Sequence, residues 1–248
     1  MIIAIDVGNT NVVIGGFEKE ELKWKWRISS HQERTPDEWW FFLKEIILNP
    51  PEGVIISSVV PNISKSLKKC FENHYGVSPL FLAPGIKTGL PILYDPPTAV
   101  GADRIANAVG GIKKYGAPLI IVDFGTAITF DVISEKKEYL GGLIFPGIST
   151  ASEALFKSAA KLPKVELSSP EGEVIGRNTI SSIRNGIFYG FKAMVDGTIR
   201  ELKKSIKNPR VIATGGEGEE ISSASQEIEA YDGDLTLIGL KNIYELNK

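Results

Sequence analysis

The sequence predicts an α/β fold built twice in tandem, as two mixed-sheet domains of similar plan. Three observations carry this prediction. The opening segment IIAIDVGNTNVVIGGF recurs as LIIVDFGTAITFDVIS, each an apolar strand ending in Asp, then X-Gly with Thr close behind, then a second apolar strand. The two aspartates, Asp6 and Asp123, stand 117 residues apart, and each opening leads into further strands and then a helix. The chain has 248 residues, which accommodates two domains of about 110–130 residues each. The expected division is 1–116 and 117–248.

Each element follows from local pattern. Ile2–Val7 is a strand, Gly-Asn-Thr a turn and Asn11–Phe17 a second strand. Leu22, Trp24, Trp26 and Ile28 alternate with Lys23, Lys25 and Arg27, a period-two strand with one wet face. Thr35 is an N-cap, Pro36 the first helical residue, and Glu38 completes a capping box. The helix body Trp39–Leu48 is strongly apolar, and at least two of Trp39, Trp40, Phe41 and Phe42 are expected in the core. Gly53–Val60 reads as a buried strand, Asn62–Tyr75 as a helix and Pro79–Leu82 as a short strand. A helix then runs from Asp103 to Tyr115, stopped by Gly116.

The second half repeats the scheme. Pro118–Val122 is a strand, Asp123–Thr126 a turn, and Ile128–Ile133 and Tyr139–Ile144 are strands. Helices are expected over Ser152–Ala160 and Thr179–Ile206, followed by a strand at Arg210–Ala213, a Gly-Gly turn and a helix near Glu217–Ile228. Leu235–Leu237 reads as a short strand before a last helix, Gly239–Leu246.

Composition removes several function classes. Charged residues make up 23%, net charge is −2, and no Lys/Arg block exceeds two residues, which argues against nucleic acid as the main partner. The lone Cys70 permits neither an intrachain disulfide nor a Cys-based zinc site, and its helical setting predicts a buried, inert thiol. His31 and His74 are far apart and read as surface or loop residues. MIIAIDVGNT has no basic leader and is interrupted by Asp6, so no signal peptide is expected. No stretch reaches the roughly 18 apolar residues of a membrane span. A cytoplasmic protein is the expectation.

The two turns suit a polyphosphate, which needs backbone N–H groups aimed at it and no side chain in the way. Gly8 and Gly125 remove the Cβ and permit unusual φ values. Asn9, Thr10, Asn11 and Thr126 add side-chain donors. Asp6, at the end of its strand, can hold Mg²⁺ directly or through water, because Mg²⁺ takes one or two carboxylates plus phosphate oxygens. Asp123 is the matching carboxylate. Taken singly, either turn could equally be a hairpin pinned by its Asp. Gly215 and Gly216, in ATGG, would let a flat nucleoside lie against the backbone. No G-x-x-x-x-G-K-[ST] is present, which argues against a P-loop kinase.

YDPPTAVGADRIANAVGGIKKYG is the most distinctive segment. Asp95-Pro96-Pro97 is a stiff, non-helical approach, and Gly101-Ala102 a small-residue helix entry. Asp103 and Arg104 fall in the first turn. Asp103 suits the positive end of the helix and could also take the proton of an attacking hydroxyl. Arg104 is badly placed for the helix dipole and well suited to bind a carboxylate.

The paired openings are the pattern of the actin/hexokinase-type ATPase and kinase fold, a duplicated ribonuclease-H-like fold that binds ATP in its cleft. The ordered set DVGNTN, YDPPTAVGADRIAN, DFGTAITFD, GGLIFPGI, AAKLP and ATGG further resembles the type III pantothenate kinases, over Asp6 to about Gly216. The resemblance implies ATP-dependent phosphorylation of pantothenate at the start of coenzyme A synthesis, by a homodimer whose acceptor site lies at the subunit interface. It implies a divalent metal such as Mg²⁺ and a monovalent cation, K⁺ or NH₄⁺. By position, Asp6, Val7, Gly8, Asn9, Thr10, Asn11, Val12 and Val13 would form the first phosphate loop, and Asp103 would be the general base. Tyr94, Gly101, Ala102, Asp103 and Arg104 would contact pantothenate, with Arg104 near its carboxylate. Asp123 would hold the monovalent cation, Thr126 would contact ATP, and Thr179, in GRNTI, would reach pantothenate. The loop SSPEGEVIG before Thr179 departs from the resemblance by being slightly longer. A sugar kinase of the same superfamily and a non-enzymatic transcription accessory factor are the alternative readings. An actin-like filament former would need extra subdomains that this length does not supply.

Overall fold

A computed structural model describes residues 1–159, 162–165, 168–170 and 172–248. The chain divides into two compact units, Met1–Lys114 with Asp234–Lys248, and Tyr115–Gly233. This corrects the expected partition at its far end, because residues 234–248 return to the first unit.

The first unit holds a sheet of β1 (Ile2–Val7), β2 (Asn11–Glu18), β3 (Glu21–Ser29), β4 (Gly53–Ser58) and β5 (Leu80–Phe81). Their order is β3-β2-β1-β4-β5, with β1 antiparallel to β2 and parallel to β4. The near-continuous apolar runs of β1 and β4 require cover on both faces. On one face, Ile3, Ile5, Val54 and Ile56 meet Trp39 and Leu43 of α1 (Pro36–Leu43) and Ile63 and Leu67 of α2 (Pro61–Cys70). On the other, Ala4 and Ile55 meet Ala106 of α3 (Ala102–Tyr115) and Leu237 and Leu240 of a C-terminal helix (Leu235–Leu246).

The second unit repeats the plan with β6 (Leu119–Phe124), β7 (Ala127–Ile133), β8 (Tyr139–Pro146), β9 (Arg210–Thr214) and β10 (Ala230–Tyr231). Their order, β8-β7-β6-β9-β10, is that of the first sheet. Its helices are α4 (Ile148–Ser158), α5 (Thr179–Leu202) and α6 (Glu219–Ala224), which makes the C-terminal helix α7. Val195 and Ile199 of α5 pack on Ile120, Val122 and Val211.

Local chemistry accounts for most boundaries. Thr35 accepts the Glu38 N–H at 3.3 Å while the Glu38 carboxylate accepts the Thr35 N–H at 2.7 Å, closing the expected capping box. The helix it starts ends at Leu43 rather than Leu48. Only Trp39 of its four aromatics is fully buried; Trp40, Phe41 and Phe42 are 36%, 63% and 44% exposed, fewer in the core than expected. Their faces are covered instead by cations and a ring: Lys44 lies 5.2 Å from the Trp40 centroid and His74 stacks on Trp40 at 4.7 Å. Cys70 is buried, and desolvation, its largest influence, pushes its thiol up to about 12, so it is inert as expected.

The C-terminal region differs most from expectation. Leu235–Leu237 is the first turn of α7, not a strand. Leu-Thr-Leu shows period two over three residues, but burial of Leu237, Leu240, Lys241 and Ile243 follows helical spacing. α7 crosses α3 closely. A Cβ on Gly239 would sit 1.8 Å from the Ala106 carbonyl oxygen, and one on Gly110 would sit 2.3 Å from the Leu235 oxygen. The Thr236 hydroxyl donates to Asn107 Oδ1 at 2.6 Å beside this crossing.

Gly239→Ala is therefore expected to cost about 3 kcal/mol, since backbone rather than a flexible side chain blocks the added methyl. Gly186→Ala on α5, which meets open space, should be neutral or stabilising by up to ~1 kcal/mol. Urea denaturation of both variants checks the contrast.

Candidate functional site

In the first unit the site grows from the carboxyl end of β1. Asp6 is the Cα partner of Val13 on β2 and of Ser57 on β4. Along β1 and β4, Ile5 and Ile56 face α1 and α2, while Ala4 and Ile55 face α3 and α7. Alternation then turns Asp6 and Ser57 toward the α3 face. The following turn is closed by Gly8 N–H donating to the Asn11 carbonyl at 2.9 Å, and Ser30 Oγ donates to the Gly8 carbonyl at 2.6 Å. Gly8 and Gly125 do not have positive φ, which corrects the expectation of unusual dihedrals. Gly8 needs room, since a Cβ would lie 3.2 Å from the Asn11 oxygen. Asn9 and Thr10 are exposed, and Val12 is core.

The approach to α3, Asp95-Pro96-Pro97, runs into one 3₁₀ turn, Pro97–Ala99, where the prolines suggested a wholly non-helical approach. Gly101 then starts α3, its carbonyl accepting the Ile105 N–H at 3.1 Å. Asp103 Oδ1 accepts the Arg104 N–H at 2.9 Å, and a Cβ on Gly101 would lie 2.4 Å from that oxygen. The glycine thus makes space for the carboxylate, which takes up one of the unpaired first-turn donors. Arg104 is only 7% exposed, in the first turn where a buried cation gains nothing from the helix dipole. Tyr94 and Ala102 are half-buried nearby in the chain. Ala102, Ile105, Val100, Pro97 and Leu82 line an apolar pocket of about 360 Å³.

In the second unit Asp123 lies inside β6 rather than in the turn, as Cα partner of Thr129 and of Thr214. Gly215 has φ +94°, and a Cβ there would lie 2.4 Å from Asp123 Oδ1 and 2.5 Å from the Phe124 backbone. The ATGG turn is therefore pressed onto the Asp123 turn, and Glu217 N–H donates to the Phe124 carbonyl at 3.1 Å. Tyr231 OH donates to the Gly215 carbonyl at 2.6 Å. Thr126 is exposed, and its carbonyl accepts from Gly147 N–H at 3.0 Å and Thr150 Oγ1 at 2.8 Å. Gly147, unassigned by sequence reasoning, has no room for a side chain: its Cβ would lie 2.2 Å from the Gly125 oxygen. Asp131, the last residue of DFGTAITFD, is fully buried and accepts from Tyr139 OH at 2.6 Å and Thr129 Oγ1 at 3.2 Å, a structural role.

A pocket of about 360 Å³ opens beside this turn, lined by Ile148, Arg184, Ile187, Phe188, Gly216 and Glu217 among others. It combines apolar walls with a few polar groups, the usual make-up of a small-molecule site. Arg184 was not singled out from sequence. Its Nε is buried without a hydrogen-bond partner among the described residues. The signal was present as a cation beside Ile187 and Phe188 on one stretch of α5. Thr179 stands exposed at the first position of α5, after the N-cap Asn178. Ala160 and Lys161 of AAKLP lie outside the described residues, as does Glu171 of SSPEGEVIG.

Among the described residues no group of three or more His, Cys, Asp or Glu could cage a metal. Mg²⁺ needs no such cage, since phosphate oxygens and water complete its shell. A single hard carboxylate beside a glycine-lined turn, at Asp6 and again at Asp123, fits a cation held jointly with a ligand.

A family model described as type III pantothenate kinase matches residues 2–201. The chain belongs to that family. It is a phosphotransferase, with the duplicated actin/hexokinase-type fold. Among solved structures, it is similar to a putative Baf family transcriptional activator from Campylobacter jejuni (TM-score 0.61, 20% identity, 99% of this chain and 98% of that one). It is also similar to component A of (R)-2-hydroxyglutaryl-CoA dehydratase from Acidaminococcus fermentans (TM-score 0.60, 11% identity, 100% and 99%). A third is a putative 2-dehydro-3-deoxygalactonokinase from Sinorhizobium meliloti (TM-score 0.59, 10% identity, 99% and 96%). At these identities the likeness concerns the fold alone. No helix of the described residues is long and apolar enough to cross a membrane.

For this pantothenate-kinase family member, α5 forms one wall of the second-unit pocket, and a buried carboxylate fixes it. Asp196 is 3% exposed, accepts from Lys192 Nζ at 2.8 Å, and also takes Ser225 Oγ and the Gln226 N–H. Burial alone would raise its pKa, but these hydrogen bonds and the Lys192 charge outweigh it, and the carboxyl is held below 3.8. Its stabilisation is therefore full above the unfolded value and lost as pH falls through the lower folded value. Asp196→Asn should cost roughly 3 kcal/mol at neutral pH and flatten the acid side of the stability profile. Denaturant midpoints measured from pH 7 down to acid unfolding check both.

Proposed function

We propose that the protein transfers the γ-phosphoryl group of ATP to the terminal hydroxyl of pantothenate, giving 4'-phosphopantothenate and ADP, the first step of coenzyme A synthesis. One observation carries this reading beyond the family. The first turn of α3 sets Asp103 beside a buried Arg104, on a helix locked to α7 and packed on the sheet face toward which Asp6 turns. A carboxylate base, a cation for the acceptor's carboxylate and a metal-holding Asp are the groups this transfer requires.

In this reading Asp103 accepts the hydroxyl proton as the hydroxyl oxygen attacks the γ-phosphorus. The new O–P bond forms while the bond from phosphorus to the β–γ bridging oxygen breaks, and ADP leaves with that electron pair. Arg104 anchors the acceptor's carboxylate, with Tyr94, Gly101 and Ala102 along its length. The neighbouring apolar pocket suits the branched carbon beside the reacting hydroxymethyl group. The loop Asp6–Val13 cradles phosphate, and Asp6 would hold Mg²⁺, which when bound would supply positive charge to the transferring group. In the second unit, Thr126, Gly215 and Gly216 serve ATP, the pocket beside Gly216 takes the nucleoside, and Asp123 would hold K⁺ or NH₄⁺.

A homodimer completes the proposal, with Thr179 of a second copy reaching the acceptor. Its support is the apolar exposure of Leu140, Leu143 and Ile144 on the edge strand β8 and of Ile175 and Ile180 around the start of α5. A cytoplasmic location goes with this pathway, and nucleic acid has no part in it.

Pantothenate-dependent ADP release, measured with ATP and Mg²⁺ in the presence and absence of K⁺ or NH₄⁺, tests the reading. ADP release on a hexose but not on pantothenate would replace it with a sugar kinase. Asp103→Asn should lower kcat by about 10²–10⁴-fold while ATP affinity measured by calorimetry stays unchanged. A wild-type rate in that variant would remove the base assignment.

A further inference from the structure

Ser57 belongs to none of the motifs that carry the family resemblance, yet its chemistry is out of keeping with a purely structural residue. It is fully buried, and its Oγ has no hydrogen-bond partner among the described residues. A buried hydroxyl left in that state costs roughly 1–3 kcal/mol. Its neighbour shows what a structural serine does here: Ser58 points to the opposite face, where its Oγ is bonded to Ser64 Oγ at 2.7 Å and donates to the Val60 carbonyl at 3.2 Å.

The place of Ser57 is the informative part. It is the last residue but one of β4, directly beside Asp6, and turns to the same sheet face, the one covered by α3. The second sheet repeats the arrangement, with the hydroxyl residue Thr214 as Cα partner of Asp123 and 2% exposed. A carboxylate with a hydroxyl one strand away thus stands at the end of both central strand pairs. In the first unit that position lies on the face covered by α3; in the second the hydroxyl belongs to the ATGG turn itself.

We propose that Ser57 is a substrate-binding residue of the acceptor site, its hydroxyl hydrogen-bonding the hydroxyl-bearing end of the acceptor. The inference rests on the pantothenate reading above. Ser57 is next to Asp6, where the transferring phosphoryl group is held, and so meets the end of pantothenate that reacts, while Arg104 meets the carboxylate end. Its unmade hydrogen bond is stored cost that the ligand relieves, a common property of groups kept for binding rather than stability.

Ser57→Ala removes one oxygen and separates the roles. Calorimetry with pantothenate in the absence of ATP should show roughly tenfold weaker binding, and KM for pantothenate should rise in parallel while KM for ATP and the Mg²⁺ dependence stay at wild-type values. The ligand-free melting temperature should be unchanged or higher. Unchanged pantothenate affinity, a shift in the Mg²⁺ dependence instead, or a lower ligand-free melting temperature would each overturn the assignment while leaving the proposed reaction intact. Wild-type protein that binds no pantothenate would overturn both. Ser57→Cys, nearly isosteric and a weak donor, carries the same test if the alanine variant does not fold.

Discussion

The crossing of α3 over α7 at Gly110 and Gly239 is the constraint on which the first unit depends. Two backbones meet with no space for a methyl group on either, so the position of α3 is set by main chain rather than by adaptable side chains. Asn107 and Thr236 add a directional bond at the same place. Asp103 and Arg104 sit at the start of α3 and inherit that rigidity. In the proposed reaction Asp103 must meet the acceptor hydroxyl within a fraction of an ångström, and such a mount serves that requirement. It also explains why the last fifteen residues join the first unit. Without them, the α3 face of the sheet would leave Ala4, Ile55 and Ala106 poorly covered.

The second unit uses glycine in the same way at its own site. Gly147, Gly215 and Gly218 each bring a segment into contact with the Gly125 or Phe124 region that a side chain would prevent. Two connections, the one before α4 and the one between β9 and α6, thereby converge on one turn. Tyr231 OH then donates to the Gly215 carbonyl of the ATGG turn, and the Glu217 N–H just after it donates to the Phe124 carbonyl. What distinguishes the two units is the partner each turn receives. In the first, an Asp-bearing turn shares a unit with the helix of Asp103; in the second, it is pressed against a glycine pair and flanked by an apolar pocket with an arginine.

Several buried polar groups are structural. Asp131 and Asp196 each make at least two hydrogen bonds within their own unit. Lys241 is 2% exposed and bonds Glu20 and Glu245; burial lowers its pKa, but the two carboxylates outweigh this and leave it raised. Satisfaction of hydrogen bonds, rather than burial alone, separates these from Ser57 and from Arg184 Nε, which have no hydrogen-bond partner among the described residues.

The sequence by itself determined the duplication, the strands that open each half, the capping box at Thr35 and the two aspartates at strand ends. All of these rest on periodicities and short-range hydrogen bonding that a few neighbouring residues specify. It also marked Asp103 and Arg104, because a cation in a helix's first turn is a local anomaly. Only the tertiary structure decided where Leu235–Leu237 belonged, since period two and period 3.6 cannot be told apart over three residues and the choice was made by packing on α3. Only it showed that Trp40, Phe41 and Phe42 lie outside the core, because one apolar stripe of α1 suffices to cover the sheet. The settings of Gly147, Gly239, Arg184 and Ser57 were likewise hidden, as each depends on atoms far away in the chain: a carbonyl that leaves no room for Cβ, or burial of a polar atom without a partner among the described residues.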